Sequence, residues 1–251
     1  MSTTNPVPEA GPIPGIFRAV EAVEATRHAT LGLDRGVGFG FASGINAIPL
    51  GLSEVVAASE TPVVISAGDV PVPVAVLGVR AGENLLVEEQ DGGWRPGFYV
   101  PAWMRCYPFI LLPASDAPEK LVLALEKESP LLVDGGGEPL FEDGKPAEAL
   151  QQALRFAAAM RATLQDSVAF GRALRDAGLL RQQEAQLDFR AGGKVRVDGF
   201  LTVDPAKLDA VPDATFLDWR KRGWIAPLYA MLHSTPRWGR LLDMAAERGT
   251  G

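Results

Sequence analysis

The spacing of apolar and polar residues along the chain changes near residue 145. Before that point, apolar residues stand in short runs or alternate with polar ones, which is typical of β-strands. Two antiparallel pairs are predicted, 72–79 with 85–88 and 107–112 with 121–125. A further strand is predicted at 63–65, and short helices at 16–31 and 53–58. We therefore expect a β-rich, mostly antiparallel part over residues 16–145.

From residue 146 onward the apolar residues recur at three- and four-residue spacing for about thirty residues, which predicts a long amphipathic helix. Segments 186–189 and 194–203 then alternate around Ala191-Gly-Gly193 and predict a β-hairpin. Start signals such as Asp204-Pro205 predict a final set of short helices. These are expected at 205–210, 214–222, 225–233 and 236–247. The predicted fold class is α+β: a β-rich N-terminal part, a long central helix, a hairpin and short C-terminal helices.

The chain is expected to form one compact unit after a flexible start. Residues 1–15 contain four prolines and few large apolar side chains, so we predict a flexible tail there. Residues 146–251 form the helical part with its hairpin. The boundary near residue 145 is a change of structural class, and the two parts are expected to share one core.

Composition excludes several classes of protein. The 251 residues are 47% hydrophobic with a net charge of −7, and no basic stripe is visible, so we expect no nucleic-acid partner. No run of about 18 apolar residues exists, so no membrane-spanning helix is predicted. The N-terminus lacks the charged and apolar regions of a secretory signal, and Cys106, the single cysteine, cannot form an intramolecular disulfide. We expect a cytoplasmic protein.

Assembled catalytic motifs are lacking in the sequence. The two histidines, His28 and His233, stand in no metal-binding pattern, so we predict neither a metal nor another cofactor. Cys106 follows Arg105, which suits an activated thiolate, but a buried apolar role is the stronger interpretation. The glycine-rich stretches 36–40 and 134–137 lack the Lys-Ser or Lys-Thr pair of a phosphate loop, which favours turns and close packing. We predict no catalytic residue.

An unusual concentration of aromatic residues and prolines lies at 94–109, which we call the aromatic block. Its rings can line a groove for a partner, with Arg95 and Arg105 holding a carboxylate or stacking on a ring face. The alternative, which we weight more heavily, is that the rings form core beneath a proline-rich loop. The exposure of Trp94, Trp103 and Arg105 decides between the two.

Several segments resemble the SapC-like family, and the resemblance extends over nearly all of residues 20–242. The matching segments include EATRHATL, FGFASGINAIPLGLSEVV, VPVAVLGVRAGENLLV, GGWRPGFYVPAWMRCYPFIL, GGKVRVDGFLTVDPAKLDAVP and WIAPLYAMLHS. The most specific portions are G-E-N-L, Tyr99-Val-Pro101 and Tyr107-Pro-Phe109. The chain departs from the family at Cys106, where an arginine is usual, and at 123–127, where an L-C-I-D-E strand is usual.

The resemblance implies an accessory protein of Gram-negative bacteria, with no established activity or cofactor. Genes of the family often lie near those of TonB-dependent receptors and flavin-dependent, tryptophan-halogenase-like enzymes. The implied partners are therefore a halogenase-like enzyme or a receptor system. The family takes its name from an S-layer-associated protein, which suggests a self-assembling surface protein. The lack of an export signal disfavours that alternative.

Two hypotheses about function follow. In the first, the protein is non-catalytic and recognises a protein or peptide partner through an aromatic and arginine surface, with amides supplying polar contacts. The candidate residues are Trp94, Tyr99, Trp103, Arg105, Tyr107, Asn46 and Asn84.

In the second hypothesis, the protein is an enzyme, or a subunit of one, acting on a small molecule or peptide beside a flavin- or iron-dependent partner. Its polar core would be His28, Glu54 and Arg105. Under either hypothesis the terminal helices, where aromatic residues gather, offer a surface for a homodimer, and burial of the same rings inside the monomer would explain them as well. These residues are Trp219, Trp224, Tyr229 and Trp238.

Overall fold

The computed structural model describes residues 11–188 and 194–248. Its strands are β1 Val20–Ala22, β2 Leu31–Leu33, β3 Ala47–Pro49, β4 Val63–Ser66, β5 Pro73–Val76, β6 Phe109–Pro113, β7 Leu121–Glu126, β8 Leu132–Asp134, β9 Glu138–Pro139, β10 Phe141–Glu142, β11 Lys145–Pro146, β12 Leu180–Asp188 and β13 Lys194–Val203. Its helices are α1 Val55–Ala58, α2 Ala102–Cys106, α3 Glu148–Asp176, α4 Pro205–Leu208, α5 Asp213–Lys221, α6 Ile225–Ser234 and α7 Arg237–Arg248. Short 3₁₀ helices occupy Gly40–Ala42 and Leu52–Glu54. The α+β prediction is confirmed.

The largest sheet has five strands in the order β12-β13-β4-β5-β3, and all of its pairings are antiparallel. Val64 pairs with Val74, and Phe200 pairs with Ser66, so the C-terminal hairpin extends the sheet of the N-terminal part. Smaller sheets join β1-β7-β6 and β8-β2-β9. The pairing of β6 with β7 confirms the antiparallel pair predicted there.

The long helix α3 packs against β6 and the 3₁₀ helix 52–54. The predicted apolar face is largely buried, with Leu164 and Leu174 at 2% and 0% exposure, although Leu154 is exposed. At Gly171 the helix approaches the loop before β5 so closely that an added Cβ would lie 2.0 Å from the Pro71 carbonyl oxygen. The absence of a side chain therefore sets how closely α3 packs.

Two predicted elements are wrong. Residues 16–31 form no helix, and β1 within them pairs with β7. The Glu126 carboxylate accepts hydrogen bonds from the N–H groups of Arg18 and Ala19. These backbone donors are therefore satisfied without a helical turn. Residues 85–88 form no ladder with 72–79. A single backbone hydrogen bond joins the two segments, from Leu85 to Leu77, and Val87 pairs instead with Trp94 in an isolated bridge.

The C-terminal elements agree with the sequence pattern. The β12–β13 hairpin and the four terminal helices are present, and Asp204 caps α4 by accepting from the Ala206 N–H. The expected turn at 191–193 and residues 1–10 of the expected tail lie outside the described residues. Pro14, within that tail, is buried. Among the helices described, none is long and apolar enough to cross a membrane.

Candidate functional site

The side chain of Glu54 joins the segments that meet at the start of α2. It is 5% exposed, and its Oε2 accepts from the Gly51 N–H at 2.9 Å. Its Oε1 accepts from the Ala102 N–H at 2.6 Å and from the Tyr99 hydroxyl at 3.0 Å. Pro101, which precedes α2, supplies no side-chain cap. Glu54 thus caps α2 from a distant part of the chain and fixes the loop that carries Tyr99.

The guanidinium of Arg105 is held beside this carboxylate. Its Nη2 donates to the Tyr99 hydroxyl at 2.7 Å and lies 3.6 Å from Glu54 Oε1, while its Nε donates to the Val100 carbonyl at 3.1 Å. Its carbon Cζ lies 5.4 Å from the ring centre of Tyr99 and 5.1 Å from that of Phe156. The group is therefore fixed in position by two hydrogen bonds and two rings, although 44% of the side chain is exposed.

Arg105 borders a cleft of about 210 Å³, which we call the Arg105 cleft. It lies where α2, β6 and the first turns of α3 meet the end of β2. Its lining residues are Leu33, Arg35, Arg105, Cys106, Tyr107, Phe109, Ala149, Gln152, Ala153 and Phe156. Two of the lining residues are arginines, and no acidic residue is among them. The cleft thus combines apolar walls with two guanidiniums, and each of these is paired with a carboxylate outside the lining, Arg105 with Glu54 and Arg35 with Glu138.

Burial determines the protonation of the groups around the Arg105 cleft. It raises the pKa of Tyr99 to about 12, with the negative charge of Glu54 adding to the effect. Burial likewise raises the pKa of the Cys106 thiol to about 12, against the opposing influence of Arg105. The thiol is therefore protonated at neutral pH, so the nearby arginine does not produce an activated thiolate.

The structure divides the aromatic block between core and surface. Trp103 and Tyr107 are 4% and 6% exposed, and Tyr107 stacks on Phe41 with ring centres 3.9 Å apart. Trp103 packs edge-on against Phe17 at 5.8 Å. Trp94 is half-buried against the ring of Phe39 and does not border the Arg105 cleft. Half of the rings of this block are therefore core, whereas Tyr99 is half-buried and Arg105 is exposed.

His28 is a buried structural residue away from this cleft. Its Nδ1 accepts from the Glu24 N–H at 2.9 Å, so its Nε2 carries the proton and donates to Glu21 Oε1 at 3.1 Å. That hydrogen bond lowers the pKa of Glu21. In the part of the chain that the structure describes, no hydrogen bond or ion pair links His28 to Glu54 or Arg105. Of the three residues in the polar core of the enzyme hypothesis, Glu54 and Arg105 thus lie together and His28 lies apart from them.

The two candidate asparagines hold loops together. Asn84 is buried; its Nδ2 donates to the Ala42 carbonyl at 3.1 Å and its Oδ1 accepts from the Leu86 N–H at 3.0 Å. The half-buried Asn46 uses its backbone carbonyl to accept from the N–H groups of Leu77 and Gly78. Neither residue borders the Arg105 cleft.

A larger and more open cleft of about 740 Å³ lies beside the glycine-rich stretch 36–40. An added Cβ at Gly38 would lie 2.6 Å from the Gly92 carbonyl oxygen, which is the close-packing role that the sequence favoured. Three acidic residues that border this cleft already pair with arginines, at distances of 3.0 to 3.2 Å: Glu83 with Arg80, Glu88 with Arg95 and Glu89 with Arg248. The charged groups around both clefts are therefore mostly paired, and the Arg105 cleft differs in the aromatic residues of its lining.

Among the residues described, no cluster of His, Cys, Asp and Glu is arranged to hold a metal ion. Sequence reasoning did not find Arg35, Gln152 and Phe156, which complete the Arg105 cleft. Arg35 follows β2, whereas the other two project from α3. Only their position in the folded chain relates them, and no local spacing signals it.

Comparison with known proteins supports one assignment. A family model described as SapC matches residues 23–241 of the chain, which is most of its length. No curated protein and no solved structure matches the chain.

Proposed function

The chain belongs to the SapC family, and on that premise we propose that it is a non-catalytic, cytoplasmic accessory protein that binds a protein or peptide partner through the Arg105 cleft. The observation that carries the proposal is the guanidinium of Arg105, which is fixed by Tyr99 and Phe156 yet 44% exposed beside an apolar cleft. Arginine and aromatic anchors at the edge of a desolvated pocket are typical of residues that dominate binding energy.

The arrangement of polar groups favours binding over catalysis. Glu54 accepts three hydrogen bonds from its own chain, so its oxygens are already committed to holding the loop. The Cys106 thiol is protonated at neutral pH because burial raises its pKa to about 12. General acid–base and nucleophilic catalysis need a group that reaches the substrate in the right protonation state, and neither group meets both requirements.

The proposed partner is a protein that works together with this chain, and candidates are a flavin-dependent, halogenase-like enzyme or a component of a TonB-dependent receptor system. The test is affinity capture from an extract of the host, followed by rebinding of the captured protein in purified form. We expect Arg105→Ala to weaken the purified complex at least tenfold. Calorimetry or surface plasmon resonance measures the change.

Two further variants make this test specific. Ala153→Phe adds a phenyl ring at a residue that lines the cleft and makes no hydrogen bond to Arg105, and we expect it to weaken binding as well. Arg155→Ala removes an exposed arginine of the same helix that does not border the cleft, and it should bind like the wild type. Wild-type affinity for both Arg105→Ala and Ala153→Phe, with folding confirmed by circular dichroism, would reject this binding site.

A further inference from the structure

The Arg105 cleft combines two arginines with apolar side chains, which suits a ligand that carries both a carboxylate and an apolar group. Resting on the function proposed above, we propose that the cleft binds the C-terminal residue of the partner, with the terminal carboxylate against Arg105 and Arg35 and an apolar side chain between the walls. The ligand class is thus a peptide with a free carboxyl end and an apolar last residue.

Charge is the first argument. The chain as a whole carries a net charge of −7, yet the described residues that line the cleft include two arginines and no acidic residue. Each guanidinium is paired on one side, Arg105 with Glu54 and Arg35 with Glu138. The N–H groups on its other side match the planar shape of a carboxylate.

Both arginines retain unused donors. Arg105 uses Nε and Nη2 for Val100 and Tyr99, and within the described chain its Nη1 has no hydrogen-bond partner. Arg35 uses Nε for both carboxylate oxygens of Glu138, at 3.0 Å each, and no described residue accepts from its Nη1 or Nη2. Since the two side chains are 44% and 52% exposed, an incoming anion can reach both.

The walls and size of the cleft favour a single terminal residue. A volume of about 210 Å³ is below that of pockets for larger ligands, which begin at about 300 Å³. Leu33, Phe109 and Phe156 supply apolar surface for one side chain. A terminal residue brings its carboxylate and its side chain on one Cα, whereas an internal aspartate or glutamate brings no apolar group with its carboxylate.

Gln152 supplies the remaining contact. Its Nε2 donates to Glu148 Oε1 at 3.0 Å, and its Oε1 has no donor among the described residues. The Oε1 can therefore accept the N–H of the terminal residue. Carboxylate, side chain and N–H of one residue would each have a counterpart in the Arg105 cleft.

The test uses a pool of octapeptides randomised at the last three positions, made once with a free carboxyl end and once as the amide. Immobilised full-length protein is incubated with each pool, and retained peptides are identified by mass spectrometry. We expect the acid pool to be enriched at least tenfold in peptides ending in leucine, isoleucine, valine, methionine or phenylalanine. The amide pool, Arg105→Ala and Arg35→Ala should show no such enrichment, whereas Arg155→Ala should match the wild type.

Outcomes of this test separate the inference from the function on which it rests. Equal retention of acid and amide pools, or enrichment of internal acidic residues in both pools, overturns the inference. If Arg105→Ala still abolishes capture of the partner protein in that case, the proposed function stands without it. Inorganic phosphate at 10 mM, a concentration chosen for the assay, is the competitor that tests for a general anion site: complete displacement of the retained acid peptides at that concentration also overturns the inference.

Discussion

Glu54 shows how one buried residue determines the geometry of the Arg105 cleft. Its carboxylate binds the backbone N–H of Gly51 and of Ala102 and the hydroxyl of Tyr99, which in turn accepts from Arg105. A buried charge is stable only where such hydrogen bonds replace water. The position of Arg105 at the protein surface therefore depends on a carboxylate that solvent hardly reaches.

The pKa of Tyr99 should make the unfolding free energy of the protein fall as the pH rises above 10. Burial and the charge of Glu54 raise its folded pKa from 10.0 to about 12, so its contribution is complete below pH 10 and is lost as pH rises through about 12. We predict that Tyr99→Phe has a weaker decline in unfolding free energy between pH 10 and 12 than the wild type. Urea denaturation at several pH values measures the decline.

Titration of Cys106 and of Tyr107 is common to both proteins in that comparison and cancels in the difference. Tyr229→Phe, at an exposed tyrosine, is the matched control and should retain the wild-type slope. Identical slopes for Tyr99→Phe and the wild type would contradict the placement of Tyr99 against Glu54.

Trp103 belongs to the core in spite of its place in a loop-rich segment. Because its side chain is 4% exposed and packs against Phe17, we predict that Trp103→Ala lowers the unfolding free energy by about 3–5 kcal/mol. Urea denaturation measures this loss. Tyr229→Ala, at a ring that is 41% exposed, should change it by less than about 1 kcal/mol. Similar small losses for both variants would show that Trp103 is not core.

At the scale of elements, the two glycines within α3 and α7 give opposite predictions. Gly171→Ala should lower the unfolding free energy by about 1–3 kcal/mol or more, because the new Cβ would lie 2.0 Å from the Pro71 carbonyl oxygen. Gly239→Ala should raise it by up to about 1 kcal/mol, since the position is helical and open and alanine favours the helix. Thermal and urea denaturation of both variants measures the contrast. A gain at both positions would show that α3 does not pack closely at Gly171.

Sequence patterns predicted the elements whose stability is local. The period of α3 and the proline-marked starts of the terminal helices hold over enough residues to dominate other signals. The expected helix at 16–31 failed because the backbone donors of Arg18 and Ala19 are met by Glu126, more than a hundred residues away. The expected strand at 85–88 failed because the side chain of Asn84 fixes the local path by accepting from Leu86. Neither interaction has a signature in neighbouring residues.

The candidate site was predictable to a similar extent. Tyr99, Glu54 and Arg105 stand out in the sequence, and the structure joins them through hydrogen bonds. Local pattern does not reveal whether a tryptophan in the aromatic block faces inward, since that depends on partners such as Phe17. Arg35 and Phe156 reach the same cleft only because β2 and α3 pack near α2.

At the scale of the molecule, the buried apolar residues form one cluster that includes both the β-rich part and the terminal helices. Trp219 and Trp224 are 3% and 7% exposed, so their rings are accounted for inside the monomer. Tyr229 remains exposed on α6. Trp238 is half-buried on α7. The homodimer expected from these four residues stays a prediction, because only Tyr229 and part of Trp238 are accessible to a second copy.

The pairing of both guanidiniums of the Arg105 cleft with carboxylates of the same chain also has a consequence for salt dependence. At physiological ionic strength, charges are screened beyond about 8 Å, so the net charge of −7 acts only weakly on a distant partner. Added salt weakens the exposed ion pair between Arg35 and Glu138, which frees that guanidinium, and it also weakens the attraction of both guanidiniums for an anion. For the proposed partner, these two effects of salt on affinity oppose each other.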